Sequence, residues 1–179
     1  MPISQNDLVF RLSQPTANSG FWFDQTDPNL SLGYYMASAI MATGLNGLFD
    51  DVTGAENAAQ NQEYRCVFIH NINTSGTLTS GIIFISGEVA GGANLYLGVD
   101  PFPASTGRAT TQQAVSGVNE DTSPTGVDFY NPLTYATGLA IGNIAPLFCK
   151  AIWCRRDPLN GPAVNSDGSY IVIQGDSTQ

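Results

Sequence analysis

Glu63-Tyr-Arg-Cys-Val-Phe-Ile-His-Asn-Ile-Asn-Thr-Ser-Gly-Thr-Leu-Thr-Ser-Gly-Ile-Ile-Phe-Ile85 is the stretch whose reading decides the fold. In an extended chain Tyr64, Cys66 and Phe68 point to one side, and Val67 and Ile69 to the other. A strand that is apolar on both faces needs cover on both, so it belongs at the centre of a layered structure. Asn71 to Gly76 offers turn chemistry, and Thr77 to Ile85 resumes with β-branched residues. The expectation is a central β-hairpin.

Further strand-like runs flank it. Asp7-Leu-Val-Phe-Arg-Leu-Ser13 reads as a first strand, Asn94-Leu-Tyr-Leu-Gly-Val99 as one stopped by Asp100-Pro101, and Leu139 to Ile144 as another before Pro146. Leu147 to Trp153 is apolar on both faces and is expected to end at Arg155-Arg156-Asp157-Pro158, and Ser169 to Gln174 closes the chain. Residues 14 to 50 read as an N-terminal loop excursion, in which Ala37 to Phe49 is apolar but broken by Gly44 and Gly47. Thr53-Gly-Ala-Glu56 is a capping box opening one short helix that runs to Gln62. Ala104 to Asn131 is polar and reads as surface loops with one edge strand around Gln113 to Val118. Short strands with turns between them give an all-β fold over residues 1–179 as one domain: an antiparallel β-sandwich, jelly roll or immunoglobulin-like, with long loops.

At 179 residues the chain can bury roughly 70% of its unfolded surface without metal or disulfide staples. Only 12% of residues are charged, about half the usual ~25%, and Gly, Thr, Ser and Asn fill the gap. Such a surface can be covered by neighbours without stranding ions. A net charge of −9 with six Lys and Arg argues against nucleic acid and against an anionic membrane. No apolar run approaches a membrane span and no secretory leader is visible, so the expected site of synthesis is the cytoplasm. Cys66, Cys149 and Cys154 lie inside apolar runs and read as buried free thiols rather than a disulfide framework.

Chemistry is sparse. His70 is the single histidine, which leaves no His-rich zinc site, and it reads as a structural hydrogen-bonding residue. No Gly-x-Ser-x-Gly elbow or phosphate-cradling glycine loop occurs. Carboxylates are present, among them Asp50-Asp51, Glu63, Glu88, Asp100 and Glu120-Asp121, but no pair stands out for glycosidic work. Asp24-Gln-Thr-Asp27 and Asn165-Ser-Asp167-Gly have calcium-loop chemistry without a full calcium loop. Asn29-Leu-Ser31 and Asn73-Thr-Ser75 match the glycosylation pattern, which acts only on a secretory route. The expectation is therefore no catalytic residue, no metal and no cofactor. The aromatic run Phe21, Trp22 and Phe23, extended by Tyr34 and Tyr35, is the candidate interface, because aromatic anchors carry much of the energy of an interface.

Several stretches resemble a family of small virion proteins of tailed bacteriophages: Asp7 to Ser13, Asp27-Pro-Asn-Leu-Ser-Leu-Gly33, Leu48 to Glu56, Glu63 to Asn71, and Ala151-Ile-Trp-Cys-Arg-Arg156. The resemblance implies a non-enzymatic β-sandwich subunit of the particle, a capsid decoration (cement) protein or a tail or neck component. It brings no catalytic residues. The partners it implies are further copies of the chain, as a trimer, and the major capsid protein or other virion proteins, in the virion or in the host cytoplasm during assembly. A carbohydrate-binding module, stacking Trp22, Tyr34 or Tyr35 on a sugar, is the alternative, and a carboxylate-pair hydrolase is a third reading.

Overall fold

Strand β3 (Glu63–Asn71) is buried along its whole length, and its two faces go to two different cores. The computed structural model describes residues 2–16 and 25–178. Val67 and Ile69 join Ile83, Ile85, Leu97, Ile152 and Cys154 in one apolar cluster. Tyr64, Cys66 and Phe68 join Met36, Ala114, Cys149 and Trp153 in the other.

The elements around β3 are β1 (Leu8–Gln14), β2 (Tyr35–Ile40), helix α1 (Gly54–Ala59), β4 (Thr77–Ser86), β5 (Asn94–Val99), β6 (Ser105–Thr106), β7 (Leu139–Ile144), β8 (Phe148–Asp157) and β9 (Tyr170–Thr178). They form two antiparallel sheets, a six-stranded one in the order β2-β1-β3-β8-β5 with β6 also on β8, and a three-stranded one in the order β7-β4-β9. The fold is an all-β sandwich. Its first core fills the space between the sheets, and the small sheet covers only one face of the large one.

The expected hairpin is not formed. β3 pairs with β1 and β8, whereas β4 pairs with β7 and β9 in the other sheet. Hairpin partners share both faces, and these two strands have different needs. β3 has no exposed residue, while β4 is exposed at Ser80 and Ser86 and half-buried at Thr77 and Thr79. The turn chemistry shapes an arch between layers. The Asn71 side-chain amide donates to the carbonyls of Gly76 (2.8 Å) and Ile144 (3.0 Å). Asn73 Oδ1 accepts from the backbone N–H groups of Ser75 (2.9 Å) and Gly76 (2.8 Å).

Three further expectations change. β2 lies within the stretch read as an excursion, pairing Gln14 with Tyr35 and Ser13 with Met36. Residues 113–118 form no strand, only an isolated bridge from Ser116 to Gly33. Instead of lying on the surface, the loop that contains them buries Gln113, Ala114 and Val127 against the second face of the large sheet. β8 runs on through Arg155 and Arg156, because Arg156 pairs with Glu63 of β3 (2.5 Å) and Arg155 with Asp157 of β8 itself (2.7 Å), which gives each cation an anionic partner within the sheet. α1 stops at Ala59, ahead of the expected Gln62, since Gln60 takes a left-handed conformation (φ 54°).

Gly98 shows how closely the loop approaches: a Cβ there would lie 2.4 Å from Val127 Cγ1 and 2.9 Å from the Asp128 carbonyl. A strand glycine of this kind marks a site where another backbone comes close. Residues 130–132 then tie the layers together, Tyr130 pairing with Leu97 of the large sheet and the Pro132 carbonyl accepting from Ile85 of the small one.

Candidate functional site

Most of the candidate chemistry of this chain is spent on holding it together. Arg65 is fully buried on β3, where its guanidinium reaches Glu120 (2.6 Å), the side-chain oxygen of Asn29 (2.8 Å) and the Tyr64 carbonyl (3.1 Å). Glu63 lies between Arg156 (2.5 Å) and Arg65 (3.9 Å). Burial raises its carboxyl above the usual carboxylate range, against the pull of both guanidinium groups. Both guanidinium groups also lie over the ring of Phe49, at 5.5 and 5.0 Å from its centre.

Asp100 forms a second buried centre. It accepts from the indole N–H of Trp153 (2.9 Å) and from the backbone N–H groups of Phe102 (2.9 Å) and Val115 (2.9 Å). Burial raises its pKa, while these hydrogen bonds and Lys150 oppose the rise. Glu88 accepts from the Leu95 backbone (2.6 Å), and Glu56 closes the capping box of α1. Glu56, Glu63, Glu88, Asp100 and Glu120 are thus each engaged by partners in the fold.

His70 accepts from Arg11 Nε at Nδ1 (3.0 Å) and is 7% exposed. Burial first and Arg11 second lower its pKa to about 4. The three thiols are free and buried, and burial pushes Cys149 and Cys154 up to about 12. Among the described residues no group of three or more His, Cys, Asp or Glu is placed to hold a metal ion. Of the calcium-like fragments, Asp27 accepts from the Asn29 backbone (3.0 Å) and Asp167 from the Ala93 backbone (2.6 Å). Asn73 of the second glycosylation pattern is buried in the arch turn.

Phe21, Trp22 and Phe23 of the expected interface lie outside the described residues. Tyr34 and Tyr35 are half-buried at the edge of the large sheet, their rings stacked at 6.5 Å and 15°. The Tyr34 carbonyl accepts from Gln113 (2.8 Å) and Ala114 (3.1 Å), so its backbone anchors the covering loop.

Two surfaces remain that sequence reasoning missed. The first is the outer face of the small sheet. Register places Phe84 opposite Val172, Ser86 opposite Tyr170, and Ile82 opposite both Gln174 and Ala140. All turn away from the buried Ile83 and Ile85, and none carries a charge. Tyr135 meets Phe84 edge-on at 6.3 Å and extends the face. Alternation in Gly81 to Ser86 is the only local trace of it, and the pairing with β9 and β7 decides which residues lie beside it.

The second is a cavity of about 790 Å3 at the end of the sandwich where β8 stops and β5 and β9 begin. Loops 41–54, 91–93 and 158–169 enclose it. The sequence marks these loops by their Gly, Asn and Asp residues, and nothing in it places them at one site.

No protein-family model matches the chain, and neither does any curated protein or solved structure. Among the described residues no helix is long and apolar enough to cross a membrane.

Proposed function

We propose that this chain is a non-enzymatic structural protein of a phage particle, a decoration subunit that docks on the shell through the outer face of its small sheet. The observation that carries this reading is the low charge of that face in a protein of net charge −9: Ile82, Phe84, Ala140, Val172 and Tyr170 form an uncharged patch, with Asp176 beyond it near the end of β9. Covering the patch around Phe84 strands no charge, whereas contact with charged parts of an acidic protein costs desolvation and repulsion. The resemblance of short stretches to virion proteins supports the same reading, as does the structural use of most carboxylates. A tail or neck position uses the same surface against a different neighbour.

The mass of the purified chain by light scattering behind a sizing column tests self-assembly, with a trimer expected. Co-sedimentation with empty capsids tests the shell as partner. A monomer that fails to sediment with capsids would overturn the decoration role.

A further inference from the structure

We infer that the cavity at the β8–β5–β9 end of the sandwich is a binding site for a neutral saccharide. The reading is independent of the assembly role and, Tyr170 apart, rests on different residues.

At about 790 Å3 the cavity falls within the ~300–1,000 Å3 typical of small-molecule sites. Several of its polar groups are not consumed by the fold. Among the described residues the side chains of Asn46, Asp51, Asn94 and Asn165 line it and have no hydrogen-bond partner in the chain. An amide carries both donors and an acceptor, as a sugar hydroxyl does, and a free carboxylate accepts from two neighbouring hydroxyls. Apolar surface sits beside these groups: Leu45 is 68% exposed and Tyr170 73% exposed, both on the cavity wall. A pyranose ring has the matching character, with an apolar C–H face and a hydroxyl edge.

Charge narrows the choice. Among the described lining residues Arg156 is the one cation, and Glu63 and Asp50 occupy it. A phosphate or carboxylate ligand therefore meets no free positive partner and faces Asp50, Asp51 and Asp167. A cationic ligand finds little either, because Asp50 is paired with Arg156 and Asp167 accepts from the Ala93 backbone, leaving Asp51. What remains is an uncharged, hydroxyl-rich ligand.

The wall holding Asp167 is built to close tolerance. A Cβ at Gly92 would fall 2.0 Å from Asp167 Oδ1, so glycine lets the 91–93 turn seat against the 158–169 loop.

An array of neutral and acidic oligosaccharides and basic peptides, probed with the full chain and followed by calorimetric titration of the best ligand, tests the inference. The expected result is retention of a neutral oligosaccharide, weakened about tenfold by Asn46→Ala and by Asn165→Ala, the loss of roughly one hydrogen bond each. Asn165→Ala should leave the thermal midpoint in place, whereas Asn46→Ala should lower it slightly, because Asn46 has a left-handed backbone (φ 58°) that Ala adopts less readily. Thr74→Ala, exposed at the opposite end, should leave binding unchanged. Retention of no neutral glycan, retention indifferent to the cavity variants, or retention of basic peptides alone would overturn it.

Discussion

Glu120 reaches across the covered face of the large sheet to Arg65, Oε2 to Nη2 at 2.6 Å, with the guanidinium fully buried and the carboxylate 45% exposed. Glu120 belongs to the long covering loop, and its carbonyl also accepts from the Tyr64 backbone (2.8 Å). One residue thus fastens the loop to β3 twice.

Glu120→Ala should therefore destabilise the fold by about 2 kcal/mol, below the ~3–5 kcal/mol of a wholly buried pair because water reaches this carboxylate and Glu63 stays near. Replacing both partners, Arg65→Met with Glu120→Ala, should recover most of the loss by removing the orphaned charge. Urea midpoints of the two variants check this. Equal losses in both would mean that the pair itself contributes little.

His70 makes stability depend on pH in a definite direction. Its folded pKa, about 4, lies below the ordinary 6.5, so the unfolded chain takes up a proton that the folded chain refuses. Stability from this group is complete above pH 6.5 and is lost as pH falls towards about 4, by at most about 1.4 kcal/mol per pH unit. Arg11 faces it at 3.0 Å and opposes protonation, while a hydrogen bond with the Leu147 carbonyl favours it. Melting curves between pH 4 and 7 should be flatter for His70→Gln than for the native chain. Parallel curves would count against the assignment.

Asn71 holds the arch. Fully buried, it donates to Gly76, Ile144 and Ala145 (2.8, 3.0 and 3.2 Å), joining the β3–β4 turn to the β7–β8 turn. Asn71→Ala should cost about 3 kcal/mol by stranding carbonyls out of water. Chemical denaturation measures it. A loss below about 1 kcal/mol would mean that water replaces the amide.

Phe84 tests the outer face. It is half-buried, lies opposite Val172 and touches Tyr135, and it contributes nothing to the buried clusters. Phe84→Asp should leave a folded monomer and abolish both self-association and co-sedimentation with capsids. Retained assembly would move the interface elsewhere.

Much of the sandwich was legible because alternation is a local property. The division of Tyr64, Cys66 and Phe68 from Val67 and Ile69 reappears as two separate cores. The runs read at Asn94 to Val99 and Leu139 to Ile144 are strands with those bounds. β2 was not legible: Tyr35–Ile40 has no clear period, and it becomes a strand through pairing with the edge of β1. The polar stretch after Ala104 misled for a related reason. Its buried residues, Gln113 and Ala114 among them, carry no apolar pattern, because Gln113 is satisfied by specific bonds to Met36, Ser105 and Thr106.

The candidate interface residues Tyr34 and Tyr35 were visible as aromatics, yet their half-buried place at the sheet edge follows from the loop that Tyr34 anchors. The outer face of the small sheet and the cavity were out of reach, because each joins residues from distant segments. Residue order along this chain determined which stretches extend and which side of each is apolar, since side-chain direction alternates with every residue. Tertiary structure alone decided that β3 and β4 enter different sheets and that loops of the 40s, 90s and 160s share a cavity. Those outcomes depend on which partner strands satisfy backbone hydrogen bonds and cover each face, a competition among segments far apart in the chain.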